Sequence, residues 1–249
     1  MSNFDLLTLS GQGSDPFGQA LWDACQGRPA CLVFHRDDGL VTEQDATLYL
    51  AGPEAFDPTE AAALAFARGR VLDIGCGAGR HALALQARGH AVMGLDISPL
   101  ALAVARRRGV CHTIRATITA LPFAAASFDT FLLLGNNLGL AGDVEGTVAM
   151  LRQLRRLARP GGVLIANCRN PAATDDPVHL AYHAHNRARG RPIGQVTIRV
   201  EYGGQVSPWF DLLLLTPAEV ATLAERAGWQ VKRLLSGARG LFTAILTAE

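Results

Sequence analysis

Val71-Leu-Asp-Ile-Gly-Cys-Gly-Ala-Gly-Arg-His81, followed by Val92-Met-Gly-Leu-Asp96, decides the fold of this chain. An apolar run enters a glycine turn, a helix-forming run follows, and a second apolar run ends on a carboxylate. Short apolar runs bounded by turn signals predict buried strands of a parallel sheet. Gly75, Gly77 and Gly79 let the backbone come close to a ligand where a Cβ would collide. Asp96, at the tip of the second strand, is placed to grip a ribose diol. The stretch therefore predicts an adenosine-like ligand.

The glycine spacing narrows that ligand. Dinucleotide folds space their glycines G-x-G-x-x-G and seat a pyrophosphate on the helix N-terminus. Here the spacing is G-x-G-x-G, and Arg80 stands where the last glycine would be. Asp73, inside the strand end, would repel a pyrophosphate but attract an ammonium. S-adenosylmethionine carries an ammonium and a sulfonium and no phosphate, so the charges suit it better than NAD. The string resembles the first motif of the class I S-adenosylmethionine-dependent methyltransferases.

That resemblance implies an α/β fold: a Rossmann-like, seven-stranded, mostly parallel sheet with an antiparallel C-terminal hairpin and helices on both faces, here with an inserted β-hairpin or lid. It also implies roles. Asp73 would hold the methionine ammonium, and Gly75, Gly77 and Gly79 would form the turn under the cofactor. Asp96 would accept from the ribose hydroxyls, with Ile97 packed on the adenine. Ala116-Thr-Ile-Thr-Ala-Leu-Pro-Phe123 before Ser127-Phe-Asp129 resembles a further family stretch. The family usually has an acid where this chain has Thr117, whose hydroxyl accepts more weakly than a carboxylate; Ile118 would offer its N–H to adenine. In Gly135-Asn-Asn-Leu-Gly139, Asn136 would touch the methionine end.

Composition sets outer bounds. The 249 residues are enough for one sizeable α/β domain, and 49% apolar residues support a full core. One methyltransferase domain is expected over 1–249: an N-terminal extension (1–68), a cofactor core (69–168), a lid and hairpin insertion (169–215) and a C-terminal helix and hairpin (216–249). A net charge of +1 argues against a nucleic-acid partner. No apolar run is long enough for a bilayer, and the start, Met-Ser-Asn-Phe-Asp, lacks a basic signal region, so a cytoplasmic protein, monomer or homodimer, is expected. Five dispersed cysteines suggest reduced thiols.

Along the chain, residues 1–14 are expected to be loose. Helices are expected at 15–25, 57–67, 80–87, 98–108, 144–158 and 216–227. Strands are expected at 71–74, 91–96, 111–116, 128–134 and, after the turn Pro160-Gly-Gly162, at 163–168. Gln195–Tyr202 and Val206–Leu215 flank Gly203-Gly204 as a hairpin. Trp229–Leu235 and Leu241–Thr247 form a closing hairpin.

The catalytic candidates are less sharply marked. His179, Tyr182, His183 and Asn186 share a face if 177–189 is helical. His179, His183 and Glu201 are the candidates for a general base. The histidines have no acid or thiol at ligand spacing, so no metal is expected. Arg106-Arg-Arg108 reads as a solvent-facing helix end. The function implied is methyl transfer to a small-molecule O, N or C nucleophile. The alternatives are a non-catalytic module binding S-adenosylmethionine or S-adenosylhomocysteine, and an NAD-dependent oxidoreductase.

Overall fold

A computed structural model describes residues 14–248; the expectation for residues 1–13 lies outside it. In chain order the elements are α1 (Pro16–Cys25), β1 (Cys31–Arg36), β2 (Val41–Asp45), α2 (Pro58–Ala63), β3 (Arg70–Ile74), α3 (Arg80–Gln86), β4 (Ala91–Asp96), α4 (Pro99–Arg108), β5 (His112–Arg115), β6 (Phe128–Leu133), α5 (Val144–Leu157), β7 (Ala158–Arg169), α6 (Pro177–Ala188), β8 (Gln195–Tyr202), β9 (Gln205–Val206), β10 (Phe210–Leu213), α7 (Pro217–Arg226), β11 (Trp229–Ser236) and β12 (Leu241–Ala248). One sheet has the order β11-β12-β7-β6-β3-β4-β5. A second has the order β10-β8-β1-β2, with β9 on β8. The pairs β3–β4, β4–β5 and β6–β7 are parallel; β7–β12 and β12–β11 are antiparallel. This is the mostly parallel sheet with an antiparallel end that the sequence implied.

The chain forms two compact units. The first comprises residues up to Phe56, Arg68–Pro122 and Ile198–Phe210. Its centre is β3, whose Val71, Leu72 and Ile74 are buried, as a strand covered on both faces requires. Leu21 of α1 packs with Ala78 of the glycine turn and Ala101 and Val104 of α4. Asp15 caps α1 by accepting from the Gly18 N–H at 2.9 Å, and Ser98 caps α4 by accepting from the Ala101 N–H at 2.9 Å. Ser98 Oγ donates to Asp15 Oδ2 at 2.6 Å, so one hydrogen bond joins the two caps.

The strands β1 and β2 are not visible in the sequence patterning. They pair antiparallel, Val33 opposite Glu43, around a turn at Arg36–Gly39, and β1 pairs β8 with Phe34 opposite Val200. Leu32 and Val200 are buried on Ala20 of α1. The expected hairpin is real but shorter: after β9 the chain leaves the ladder at Ser207–Trp209, where Pro208 has no N–H to give, and resumes at β10.

The second unit comprises Asp57–Ala67, Phe123–Thr197 and the chain from Asp211. Leu151, Leu154 and Leu157 of α5 are buried, and Trp229 Nε1 donates to the Leu151 carbonyl at 2.9 Å. α7 starts with a full capping box of Thr216 and Glu219. Two expectations are corrected here. The helix from Pro58 stops at Ala63 and tightens into a 3₁₀ turn at Leu64–Phe66. The strand expected at Val163 begins at Ala158: the partners of Phe128 and Thr130 jump from Ala158 to Val163, and Pro160-Gly-Gly162, with Gly161 at φ +69°, turns the chain between them as expected.

Candidate active site

The glycine turn is held from β4. The N–H groups of Gly75 and Cys76 both donate to the Leu95 carbonyl, at 2.8 and 3.0 Å, and the Gly79 N–H donates to the Cys76 carbonyl at 2.8 Å. The Gly77 N–H donates to Asp96 Oδ2 at 2.9 Å. Gly79 has φ +78°, and a Cβ there would meet Val110 Cγ2 at 2.4 Å. At Gly77, with φ +52°, a Cβ would meet only Leu21 Cδ1, at 4.0 Å. Gly79 is thus required by packing, whereas the space over Gly77 is not filled by neighbouring side chains.

Two carboxylates flank this turn. Asp73 is 2% exposed, and its Oδ2 has no hydrogen-bond partner among the described residues. Its carboxylate accepts from the Ala82 N–H, and burial pushes its pKa up to about 6, opposed by the nearby His81. A buried carboxylate with an unsatisfied oxygen is costly unless a donor or cation completes it. Asp96 accepts from Gly77 with one oxygen and from the Ser98 N–H with the other, at 2.9 Å each. Burial raises its pKa, against these two N–H groups. Each oxygen keeps a second lone pair for a hydroxyl donor. An acceptor for an ammonium and an acceptor for a diol fit an aminoacyl nucleoside, and neither fits a pyrophosphate.

The remaining expected cofactor residues divide. The Ile97 carbonyl accepts from Arg115 Nε at 3.0 Å, and Ile118 is buried. Thr117 Oγ1 is hydrogen-bonded to Thr119 Oγ1 at 2.9 Å. Asn136 belongs to the second unit. Its backbone is left-handed, at φ 65°, its N–H donates to Asn167 Oδ1 at 3.0 Å, and its Oδ1 accepts from the Arg169 N–H at 2.9 Å. Its side-chain carbonyl thus ties the ends of β6 and β7. Asn167, missed by the sequence reading, also donates to Glu60 Oε1 at 2.6 Å, both side chains being buried. An acid and an amide 107 residues apart carry no shared sequence signal.

The general-base candidates differ in setting. Tyr182, His183 and Asn186 form the buried face of α6, and Asn186 Nδ2 donates to the carbonyls of Ile193 and Gln195. His179 lies on the same face, partly exposed. Glu201, in the first unit, pairs with His35 at 2.8 Å. No group of three histidines, cysteines or acids comes together for a metal among the described residues.

The arginine run needs correction. Arg108 does not project into solvent: its guanidinium donates to the Ala78 carbonyl at 2.7 Å and to the Leu50 carbonyl. It therefore fastens the segment after β2 to the glycine turn. Arg80 donates to the Leu48 carbonyl at 3.3 Å and lies over the Phe56 ring at 4.5 Å. Position at a helix end could not reveal these bonds, because their acceptors are main-chain carbonyls.

Comparison with known proteins agrees with this geometry. Residues 71–162 match the model of a methyltransferase domain family. A demethylmenaquinone methyltransferase from Tropheryma whipplei is 30% identical over 190 residues, covering 72% of this chain and 75% of that protein. A malonyl-[acyl-carrier protein] O-methyltransferase from Enterobacter lignolyticus is 40% identical over 96 residues, which span only 37% of its length. The crystal structure of an S-adenosylmethionine-dependent methyltransferase from Bacteroides fragilis, in complex with S-adenosylhomocysteine, superposes with TM-score 0.81 at 28% identity, covering 94% of this chain and 95% of that one.

Proposed function

The chain belongs to the class I S-adenosylmethionine-dependent methyltransferases, and on that footing we propose that it methylates an O, N or C nucleophile on a small molecule. S-adenosylmethionine is the methyl donor; its sulfonium supplies a built-in leaving group, so the protein need not activate the electrophile. The work left to the side chains is to hold the reactants in line and keep water out. Asp73 would hold the ammonium, Asp96 the ribose, and Gly75, Gly77 and Gly79 the backbone turn beneath them. Ile97, Thr117 and Ile118 would border the adenine.

The observation that carries this reading is the Asp73 Oδ2, buried without a hydrogen-bond partner among the described residues, beside a turn where the space over Gly77 is open. A hydroxyl or ammonium acceptor would need a base; Glu201 has an orienting partner in His35. Five free cysteines fit a reducing, cytoplasmic compartment, and no helix among the described residues is long and apolar enough to cross a membrane.

Calorimetry with S-adenosylhomocysteine tests the cofactor half of this reading. One molecule is expected to bind per chain, and NAD is expected not to compete. Competition by NAD, or no binding by the purified chain, would return the dinucleotide alternative. Mass spectrometry after incubation with methyl-deuterated S-adenosylmethionine and a small-molecule extract then tests turnover: a labelled small molecule is expected, and cofactor binding without any labelled product would favour the non-catalytic module.

A further inference from the structure

The small sheet packs one face on α1, where Leu32 and Val200 lie against Ala20. Residues opposite one another in a ladder share a face, as do residues two apart along a strand. The register therefore puts two rows on the other face. One row is Val41, His35 and Arg199, across β2, β1 and β8. The next is Glu43, Val33, Glu201 and Val206, across β2, β1, β8 and β9. The first presents an imidazole and a guanidinium, the second two carboxylates. Within the chain His35 and Glu201 meet at 2.8 Å, from one row to the next.

This face also leaves apolar surface in water. Val41 is 50% exposed, Val206 38% and Trp209 37%, three of the seven large apolar side chains exposed among the described residues. Clustering on one face marks an interaction surface, whereas scattered exposed side chains need no explanation. The Arg199 guanidinium lies over the Trp209 ring, 4.6 Å from its centroid, and its buried Nε makes no hydrogen bond among the described residues. Arginine and tryptophan are the side chains that most often anchor protein–protein contacts. The order of the rows points to the occupant. A two-fold axis lying in the plane of contact, across the strands and between the two rows, lays each copy's row of His35 and Arg199 over the other's row of Glu43 and Glu201. An isologous interface needs a patch complementary to itself, and two adjacent rows of opposite charge meet that need.

We propose that two copies of this chain associate face to face through this side of the small sheet, with Arg199 of each copy paired to Glu201 of the partner subunit. Trp209, Val41 and Val206 would supply the attraction, and the ion pairs the register. A few residues on short strands make a small patch, so a weak dimer is expected, of the class that buries less than about 1,200 Å² in total. Enclosed there, Glu201 keeps its contact with His35 and is closed to a methyl acceptor, which leaves His179 and His183 as the candidates for a base. The inference needs no property of the cofactor, so failure to bind S-adenosylhomocysteine would leave it standing.

Sedimentation velocity of the whole chain tests it. At about 0.1 mM protein and about 0.05 M salt a monomer–dimer equilibrium is expected, and at about 0.5 M salt, where the Debye length falls below about 5 Å, the dimer is expected to weaken about tenfold. Arg199→Glu sets like charges against each other and is expected to weaken the dimer at least about tenfold. Val41→Glu, at an exposed position in the row that meets the partner's Glu43, is expected to weaken it severalfold. Arg199→Glu combined with Glu201→Arg exchanges the two charges and is expected to restore association to within about threefold of the unaltered chain, which a variant that merely folds poorly would not do. A monomer at low salt, or a dimer that either Arg199→Glu or Val41→Glu leaves unchanged, would overturn the proposal. Circular dichroism shows which variants are folded, and a folded exchange variant that stays monomeric would overturn the ion pairing.

Discussion

The glycine turn between β3 and α3 and the pairing of β1 with β2 and with β8 from Ile198 onward belong to the same unit, yet only the first announces itself in the sequence. The turn is built from neighbours. Residues 75–79 bond to one another and to Leu95 and Asp96, about twenty positions away. The small sheet is built from strangers: Phe34 faces Val200, 166 positions further along the chain, and β2 reads Val-Thr-Glu-Gln-Asp, mostly exposed. A half-solvated edge strand needs no strong apolar alternation, so its sequence carries little signal. The comparison separates what local chemistry dictates from what long-range pairing decides.

The sharpest way to break that comparison is to insert a side chain where the turn is tightest. Gly79→Val combines a left-handed backbone with a Cβ that would lie 2.4 Å from Val110 Cγ2. A non-glycine residue there costs about 1–2 kcal/mol for the conformation, and overpacking adds about 1–3 kcal/mol. Chemical denaturation is expected to show a loss of about 4 kcal/mol with cofactor binding abolished. A loss under about 1 kcal/mol would mean the turn is not the rigid element described.

The two acids of the turn sharpen the comparison through pH. Asp73 titrates near 6 in the fold against 3.8 for an ordinary aspartate. The raised value means the folded state holds its proton more tightly than the unfolded chain does. As pH rises from about 4 to about 6 the unfolded chain ionises first, so the fold loses stability over that window and then levels off. The full penalty is on the order of 3 kcal/mol. Bound S-adenosylhomocysteine supplies an ammonium, which favours the ionised carboxylate, so its stabilising effect is expected to grow across the same window. Thermal melts from pH 4 to 7, with and without this ligand, measure both trends. Asp73→Asn is expected to remove this group's share of the ligand-free decline, and an unchanged slope in that variant would assign the decline to other groups.

What the sequence made legible follows the same division. The helix starts at 57, 98 and 216, where Asp57, Ser98 and Thr216 cap the structure's helices, and the parallel strands were readable because each depends on residues within a few positions. Asp73 and Asp96 were readable as a pair because both sit at strand ends in a fixed relation to the glycines. Glu60 with Asn167, and Arg108 with the Leu50 carbonyl, were not. Such contacts are made by tertiary packing, and a main-chain carbonyl looks the same at every position. The turn at Pro160-Gly-Gly162 was readable from proline and glycine, but the pairing of Ala158 before it with Phe128 was not, since that contact is made across strands.

Asp96→Ala probes the turn with a smaller expected effect. The substitution removes the acceptor proposed for the ribose and strips a partner from the N–H groups of Gly77 and Ser98. Affinity for S-adenosylhomocysteine is expected to fall by about 1.5–3 kcal/mol, as for hydrogen bonds to a charged group. Asp96→Asn keeps one acceptor oxygen and is expected to fall between the two. Unchanged affinity in Asp96→Ala, measured by calorimetry, would take the ribose role away.

The smallest effect is expected in the small sheet, and it tests whether the contrast extends to function. Gly203 and Gly204 join β8 to β9 with φ of +57° and +77°, the two left-handed residues of a type I′ turn, and they set Tyr202 opposite Gln205. A Cβ at Gly203 would meet no atom within 4 Å. Gly203→Ala therefore brings conformational strain without a clash, about 1 kcal/mol, partly offset because alanine also restricts the unfolded chain. The net loss is expected to be about 0.5 kcal/mol, with affinity for S-adenosylhomocysteine unchanged. The contrast with Gly79 then isolates packing as the source of the larger cost, since both residues share the left-handed backbone. Should Gly203→Ala weaken S-adenosylhomocysteine severalfold, the hairpin would be coupled to the cofactor turn, and the division between a locally built site and a peripheral sheet would have to be redrawn.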